Sequence, residues 1–282
     1  MVSWIEMRHI VYSDLDGTLL NEDYSYEAAK PAINFLLSSK TPLILCTSKT
    51  RAEIEVYREK LGVTDPFISE NGGAIFIPRD YFTFWYDHDK SVEGYNVIEL
   101  GKEYADLCRE LKDIRKETGY KIIGFCDMTA EEIAKDCGLS LRDAELSKKR
   151  EYDEAFTIEG TKGQTDEVFR SIESKGLNYT VGGRYSHIMG NSDKGKAVDI
   201  LTELYKREKR GSEIKTVGLG DSLNDLPMLK AVDIPVLVKK PDGLHDPEIN
   251  LPNLIRIDGV GPVGWNRAIN ELFKEGKIYD KE

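Results

Sequence analysis

The sequence predicts an α/β protein: a doubly wound, mostly parallel sheet core with an inserted α+β domain. Short apolar runs alternate with helical periods in both outer parts of the chain, as in such a core. In the middle part, strands paired through a Gly-Gly turn and helices set between strands indicate a smaller α+β unit. The expected ranges are 1–84 and 190–282 for the core and 85–189 for the insertion.

Composition limits the classes of partner. The chain has 282 residues, 40% of them apolar, and a net charge of −11. Its Lys and Arg residues are dispersed, whereas nucleic-acid binding needs a concentrated basic surface, so we expect no nucleic-acid partner. An anionic substrate would need a local cationic pocket or a metal ion to approach such a chain.

The remaining composition favours a cytoplasmic protein without a membrane partner. No run approaches the ~20 apolar residues of a membrane span, and the first residues lack a signal-peptide pattern. A single Gln beside abundant Lys and Glu is typical of heat-adapted proteins. The cysteines show neither paired nor metal-ligand spacing, so we expect small buried side chains in a reducing compartment: Cys46, Cys108, Cys126 and Cys137. The oligomeric state is not predicted.

The first predicted strand ends in two carboxylates. Ile10–Tyr12 is apolar, Gly17 interrupts the run, and Asp14 and Asp16 lie at the carboxyl end of the strand. Ligands bind at this edge of open α/β sheets. Two close carboxylates repel each other unless a cation or a shared proton relieves them, so the pair indicates a catalytic or metal site rather than an ordinary turn.

A second strand ends in hydroxyl side chains. After a helix within 26–39, the strand Pro42–Cys46 leads to Thr47 and Ser48, and a capping box of Thr50 and Glu53 opens the next helix. Hydroxyls and free N–H groups at a helix N-terminus suit a phosphate, although such a cluster is also an ordinary cap.

The rest of the chain continues the pattern. A third strand, 66–69, turns at 70–73 into a strand at 74–77. The middle part predicts strands at 84–86, 97–98, 120–125 and 156–158, two short strands around Gly182 and Gly183, and helices at 104–114, after Thr129 and through Val168. The last part predicts a helix after Lys194, a strand 216–220 ending at Asp221, a helix 226–232 and a strand 234–238.

Four segments together resemble the haloacid dehalogenase superfamily of phosphotransferases. They are Asp14-Leu15-Asp16-Gly17-Thr18, the strand ending in Thr47, Lys194-Gly195-Lys196, and Gly220-Asp221-Ser222-Leu223-Asn224-Asp225. They occur in the superfamily's order and at strand ends. The resemblance implies a Rossmann-type core, and the insertion between the second and third segments is similar to the branch with a large α/β cap.

Longer strings are similar to one family of that superfamily, the mannosyl-3-phosphoglycerate phosphatases. They are residues 48–53, 67–72, 150–152 and 190–196. This resemblance implies a phosphomonoesterase that releases phosphate to give the compatible solute mannosylglycerate. Two alternatives stay open: a phosphatase acting on the glucosyl analogue or another hexose phosphate, and a phosphomutase-like phosphotransferase.

The resemblance also implies residue roles. Asp14 matches the nucleophile, Asp16 the general acid and base, Thr47 the phosphoryl-binding hydroxyl, and Lys194 the cation that offsets charge. The implied Mg²⁺ ligands are the Asp14 side chain, the Asp16 backbone carbonyl and Asp221. Asp225 is either a further ligand or a support for Asp221.

Substrate contacts are predicted with less detail. Ser48 is a candidate for phosphate binding, and Glu70 and Asn71 are candidates for contacts with sugar hydroxyl groups. Arg184 and His187 are expected to reach the site from the inserted domain, and Arg184 suits a substrate carboxylate. Arg150 and Lys162 are weaker candidates, and Lys196 is expected to be a solvated helix lysine. The segment 261–265 starts a helix or has another role, and it is left unassigned.

Overall fold

A computed structural model describes residues 7–182, 184–210 and 212–274. The outer ends of the predicted ranges 1–84 and 190–282, and Gly183 of the predicted Gly-Gly turn, lie outside these residues. The described strands are β1 (Met7–Ser13), β2 (Leu43–Cys46), β3 (Phe67–Ser69), β4 (Ala74–Pro78), β5 (Lys90–Val92), β6 (Tyr95–Glu99), β7 (Lys121–Gly124), β8 (Asp153–Glu159), β9 (Asn178–Val181), β10 (Ser186–Met189), β11 (Glu213–Gly220), β12 (Ile234–Lys239) and β13 (Ile255–Val260).

The described helices flank these strands. They are α1 (Lys30–Ser38), α2 (Arg51–Leu61), α3 (Tyr104–Thr118), α4 (Ala130–Cys137), α5 (Leu141–Ser147), α6 (Lys162–Ser174), α7 (Lys194–Glu208), α8 (Leu226–Ala231) and α9 (Pro262–Ile269). Short 3₁₀ turns occur at Glu27–Ala29, Glu70–Gly72, Phe125–Asp127 and Leu223–Asp225, and a π-helical turn at Asn270–Lys274. Within these ranges, no helix is both long and apolar enough to cross a membrane.

The large sheet has nine strands in the order β13-β12-β11-β1-β2-β3-β4-β6-β5. The strands from β13 to β3 are parallel, and β4, β6 and β5 are antiparallel. The register pairs Ser13 with Leu219 on one side and with Leu45 on the other. The carboxyl ends of β11, β1 and β2 therefore meet at one edge, as the sequence predicts.

Both faces of the large sheet are covered, which explains its continuous apolar strands. On one face Val11 and Leu45 pack against α1, α2 and α9, where Trp265 is fully buried. On the other face Tyr12 and Ile44 pack against α7 and α8. The doubly wound α/β core is confirmed, and the unassigned segment 261–265 begins α9.

A second sheet carries the α+β pattern. Its order is β7-β8-β10-β9, with antiparallel pairing throughout. Helices α3 and α6 pack on it through Leu107, Leu111, Val168 and Ile172. Helices α4 and α5 form a smaller cluster with Phe125 and Ala155. We call the part from α3 to β10 the cap segment.

The structure corrects the predicted start of the insertion at residue 85. Strands β5 and β6 belong to the large sheet, where Val97 pairs with Phe76 and is fully buried in its core. The predicted strand at 84–86 is not present. Phe84 and Tyr86 instead belong to an irregular segment, and their rings pack against Phe82. The cap segment as a separate domain stays a prediction, with its start near residue 100.

Candidate active site

Three carboxylates converge at the carboxyl edge of the large sheet. Asp14 follows β1, Asp221 follows β11, and Asp225 ends the 3₁₀ turn after it. An oxygen of each lies within 4.8 Å of the others, and all three side chains are buried. Gly17 permits this convergence, because its φ is +77° and a Cβ there would lie 2.8 Å from Asp221 Oδ2.

Lys194 is the cation of this cluster. It begins α7, is fully enclosed, and its Nζ donates to Asp14 Oδ1 at 2.7 Å and to Asp225 Oδ1 at 2.6 Å. Burial alone would lower the pKa of Lys194, but the two carboxylates raise it well above its ordinary value. Lys194 therefore stays charged and holds Asp14 in place.

The cluster keeps an excess of negative charge. Burial and then the charge of Asp225 raise the pKa of Asp14 to about 7, although Lys194 acts in the opposite direction. Burial and the neighbouring carboxylates also raise the pKa of Asp221 well above its usual range. Three carboxylates facing one ammonium group form a site that a further cation would stabilise.

Asp225 supports the other groups of the cluster. Its Oδ2 accepts the backbone N–H groups of Asp221 at 3.0 Å and Ser222 at 3.3 Å, while Oδ1 accepts from Lys194. Thr18 Oγ1 donates to Asp221 Oδ1 at 3.0 Å and orients that carboxylate. Both oxygens of Asp225 are thus already engaged by the protein.

Asp16 lies at the solvent side of the cluster and pairs with Lys49. Its side chain is 44% exposed, and Lys49 Nζ lies 2.8 Å from Asp16 Oδ2. The same Nζ lies 3.5 Å from Glu53 Oε1 and faces the rings of Tyr24 and Tyr57. Lys49 therefore fixes the Asp16 carboxylate against the start of α2.

Sequence reasoning missed Lys49 as a site residue. It lies in the string 48–53 that carries the closer resemblance, so the string itself was the available signal. Lys49 also borders a cavity of about 300 Å³ between α2 and the cap segment. Its other lining residues include Tyr24, Tyr57, Leu139, Ser140, Asp143 and Leu146.

Thr47 and Ser48 lie at the end of β2, next to β1. Thr47 is buried, and its Oγ1 accepts the N–H of Lys49 at 3.3 Å. Thr50 and Glu53 form the predicted capping box at the start of α2. The Ser48 carbonyl accepts from Arg150 Nη2 at 3.0 Å, which connects this strand end to the chain before β8.

Glu70 is engaged in a protein contact instead of facing an open sugar site. It is fully buried, and its carboxylate accepts the backbone N–H groups of Glu151, Tyr152 and Asp153 at 2.8–2.9 Å. The predicted contact with sugar hydroxyls is therefore not available in this structure. The physical reason is that the chain entering β8 needs an acceptor for three adjacent N–H groups.

Asp153 is a second group that sequence reasoning missed. Its carboxylate pairs with Arg150, accepts from Asn71 Nδ2 at 2.9 Å and lies 3.0 Å from His187 Nδ1. Burial alone would raise the pKa of Asp153, but Arg150 and His187 lower it to about 2. Asn71 and His187 are thus brought together through Asp153, and Asn71 Oδ1 has no hydrogen-bond partner among the described residues.

The other predicted cationic side chains lie outside the cluster of Asp14, Asp221 and Asp225. Arg184 has a 56% exposed side chain, and its Nη2 lies 2.6 Å from Asp136 Oδ1 of α4. Lys196 donates to the Asn191 carbonyl at 2.7 Å and is half-exposed, as expected of a surface helix lysine. Lys162 is exposed at the start of α6.

Comparison with known proteins identifies the family of this chain. Residues 11–242 match the haloacid dehalogenase-like hydrolases, a range that contains Asp14, Thr47, Lys194 and Asp221. The chain belongs to the haloacid dehalogenase-like hydrolases. Among solved structures, this hydrolase is similar to a Thermoplasma acidophilum protein, with 20% identity, a TM-score of 0.66 and coverage of 96% and 99% of the two chains.

Curated relatives agree with this family. The hydrolase is 56% identical over 268 residues to the glucosyl-3-phosphoglycerate/mannosyl-3-phosphoglycerate phosphatase of Methanococcoides burtonii, covering 95% of this chain and 98% of that one. A protein of the same name from Persephonella marina is 40% identical, with coverage of 94% and 97%. The mannosyl-3-phosphoglycerate phosphatase of Pyrococcus furiosus is 40% identical, with coverage of 82% and 91%. The protein is thus a phosphoric monoester hydrolase.

Proposed function

We propose that the enzyme hydrolyses mannosyl-3-phosphoglycerate to mannosylglycerate and phosphate through an aspartyl-phosphate intermediate. The observation that carries the proposal is the Asp14 carboxylate, buried at the end of β1 and held by Lys194 Nζ at 2.7 Å. A carboxylate so placed is a nucleophile whose direction of attack is set before the substrate arrives.

The donor set fits Mg²⁺. It consists of oxygen atoms only, at an edge where carboxylates outnumber the cation, and Mg²⁺ prefers a few carboxylates together with substrate phosphate. The ligands we propose are the side chains of Asp14 and Asp221 and the backbone carbonyl of Asp16. Asp225 is assigned the supporting role, because Asp221, Ser222 and Lys194 already engage its oxygens. When bound, Mg²⁺ supplies positive charge that offsets the phosphoryl oxygens.

The first half-reaction forms the phosphoenzyme. An oxygen of Asp14 attacks phosphorus, and the bond from phosphorus to the glycerate oxygen breaks. Asp16 gives its proton to this leaving oxygen. Lys194 and the Thr47 hydroxyl hold the phosphoryl oxygens, and Lys49 keeps the Asp16 side chain at the mouth of the site.

The second half-reaction restores the enzyme. Asp16, now ionised, takes a proton from water, and the water oxygen attacks phosphorus. The bond from phosphorus to Asp14 breaks, and phosphate leaves. Because Asp16 is 44% exposed, water can reach it without unfolding of the site.

The organic part of the substrate would lie between the large sheet and the cap segment. The cavity lined by Lys49, Tyr57 and Ser140 supplies a cation, an aromatic surface and a hydroxyl at this place. Ser48, Arg184 and His187 remain proposed contacts of the substrate. Both possible sugars are proposed as substrates, because the relatives from Methanococcoides burtonii and Persephonella marina are named for the glucosyl and the mannosyl compound.

A substrate panel tests the proposal. Phosphate release from mannosyl-3-phosphoglycerate, glucosyl-3-phosphoglycerate, hexose phosphates and 3-phosphoglycerate would be measured with Mg²⁺ and with EDTA, and products would be analysed for phosphorylated sugars. We expect the two sugar phosphoglycerates to have the highest kcat/KM and free phosphate to equal the sugar product. Preference for a simple hexose phosphate would contradict the proposed substrate class. A phosphorylated sugar product would favour a phosphotransferase.

A further inference from the structure

The cap segment contains a cluster of sulfur and carboxylate groups outside the candidate active site. Cys108 lies on α3, Cys126 in the turn after β7, and Glu154 on β8. Both Sγ atoms and a carboxylate oxygen lie within 4.8 Å of one another. Tyr104, one helical turn before Cys108, interacts with both Cys108 and Glu154.

Glu154 is the unusual member of this cluster. It is fully buried on a strand, where a carboxylate is costly unless it is paired. Its Oε1 accepts the N–H of Cys126 at 2.8 Å, whereas Oε2 has no hydrogen bond of acceptable geometry among the described residues, although the Tyr104 hydroxyl faces the carboxylate. Arg150 is a cation that acts on Glu154, but it is already paired with Asp153.

The backbone leaves room for this carboxylate. A Cβ at Gly124 would lie 2.2 Å from Glu154 Oε1, so a larger residue at this position would displace the Glu154 side chain. The two Sγ atoms and the Glu154 carboxylate oxygen thus lie close together in this space. A buried carboxylate oxygen without a hydrogen bond, beside two thiol groups, is a donor set that a cation would satisfy.

We propose that Cys108, Cys126 and Glu154 bind a zinc ion in the cap segment. Zn²⁺ accepts thiolate and carboxylate ligands in a tetrahedral shell, with Zn–S bonds of ~2.3 Å that place ligand atoms about 3–4 Å apart. Ligand atoms already within 4.8 Å reach this spacing by small side-chain rotations. The Tyr104 hydroxyl or a water completes the shell.

Sulfur distinguishes this site from the one at Asp14. Thiolates select zinc and similar ions, while the oxygen ligands of the Asp14 cluster suit Mg²⁺. Binding releases the two thiol protons to solvent and gives Glu154 the positive partner that it lacks. Because the three ligands come from α3, the turn after β7 and β8, the ion would cross-link the cap segment, and its role is structural.

Metal content and cobalt spectroscopy test the site. The full chain would be produced with zinc in the medium, purified under reductant, treated with EDTA to clear weakly held ions, and analysed for zinc. Replacement by Co²⁺ would be followed through thiolate-to-cobalt absorption, which the all-oxygen Asp14 cluster cannot produce. We expect about one tightly held zinc per chain and a thiolate–cobalt band.

Variants assign the ligands. Cys126→Ser should abolish the band, and Glu154→Gln should weaken zinc binding by at least about tenfold. Cys137→Ser is the matched control, because Cys137 also lies in the cap segment but contacts Tyr185 instead of the cluster. Circular dichroism would establish that each variant is folded.

The outcomes separate the alternatives. Zinc retention and a cobalt band that are lost in Cys126→Ser but kept in Cys137→Ser support the site. Absence of both signals in the folded wild-type protein, or equal signals in all variants, overturns it. A Cys108–Cys126 disulfide found by mass spectrometry in zinc-supplemented protein overturns it as well.

Discussion

At the scale of single residues, charge decides how the end of β1 is arranged. Asp14, Asp221 and Asp225 are buried within 4.8 Å of one another, and Lys194 is the ammonium group paired with two of them. Thr18 also orients Asp221, and two backbone N–H groups orient Asp225. A substitution that keeps shape but removes charge is therefore the most informative change at this site.

Asp14→Asn is expected to remove the nucleophile without unfolding the protein. The amide is isosteric and keeps a contact with Lys194, but it cannot form an acyl phosphate, so kcat should fall by at least about three orders of magnitude. Phosphate release and circular dichroism would be measured in parallel. Substantial activity in a preparation free of contaminating phosphatase would contradict the covalent mechanism.

Metal removal is expected to abolish activity, and Mg²⁺ should restore it. Ca²⁺ should inhibit, because its larger and looser coordination shell spoils the in-line geometry.

The pKa of Asp14 makes stability depend on pH. In the folded metal-free protein this pKa is about 7, above its value in an unfolded chain. The contribution of Asp14 to stability is therefore fully present at low pH and is lost as the pH rises toward 7.

Protons and Mg²⁺ therefore compete for Asp14. The increase in Tm caused by Mg²⁺ should grow from about pH 6 to about pH 8. Differential scanning fluorimetry with and without Mg²⁺ would measure it, and Asp14→Asn serves as the control in which the pH dependence is weaker, since only Asp221 then competes for protons. Full activity after exhaustive metal removal would exclude the metal assignment.

Lys49→Met is expected to impair the proton transfers assigned to Asp16. Without the contact of 2.8 Å the exposed Asp16 carboxylate loses its anchor, so kcat should fall about ten- to a hundredfold, and Lys49→Arg should retain more activity. A substrate with a good leaving group, p-nitrophenyl phosphate, should be affected less. Equal losses on both substrates together with a lower Tm would indicate a purely structural lysine.

At the scale of elements, the turn after β3 connects the two sheets. Glu70 receives three N–H groups of the chain entering β8, and Asn71 contacts Asp153 on β8. The same turn is bonded to the backbone of Thr47 and Lys49. The junction thus links the end of β2, which Thr47 follows, to β8 of the second sheet.

Glu70→Gln is expected to destabilise this junction. The amide presents one acceptor oxygen and no charge, so roughly 1–3 kcal/mol of stability should be lost, measured by urea unfolding. Glu22→Gln, an exposed site, is the matched control and should change little. Unchanged stability with a kinetic loss confined to sugar substrates would instead favour the original assignment of Glu70 to sugar recognition.

At the scale of the whole molecule, the cap segment is attached near residue 100 and again after β10. Two nearby connections permit a hinge, and closure would exclude water from the leaving group, as lids do in many enzymes. Arg184 lies in the cap segment, where its exposed side chain pairs with Asp136. Its proposed role therefore depends on how the segment meets the substrate.

Arg184→Ala is expected to lower kcat/KM for the sugar phosphoglycerate by about one to two orders of magnitude, the size of a lost charge-assisted pair. Turnover of p-nitrophenyl phosphate, which has no carboxylate, should change little. Asp136→Asn is the control, because it removes the partner and keeps the guanidinium. The same small effect of both variants on both substrates would assign Arg184 to the surface ion pair alone.

The sequence alone determined the features that depend on neighbouring residues. Buried strands ending at Asp14, Thr47 and Asp221, and the capping box at Thr50, follow from apolar runs and local hydrogen bonding. Parallel strands that end in polar residues bring those residues to one edge whatever the details of packing. The α/β core and the meeting of Asp14, Thr47 and Asp221 at one edge were therefore predictable, whereas Lys194 was placed in the site only by the family resemblance.

Tertiary structure decided what depends on contacts between distant residues. Val97 joins the large sheet because Phe76 offers a buried partner, and Glu70 is engaged because three N–H groups of a remote segment need an acceptor. Cys108 and Cys126 have no metal-ligand spacing, yet α3 and the turn after β7 bring their sulfur atoms together beside Glu154. Such pairs arise from packing between elements, which local pattern does not encode.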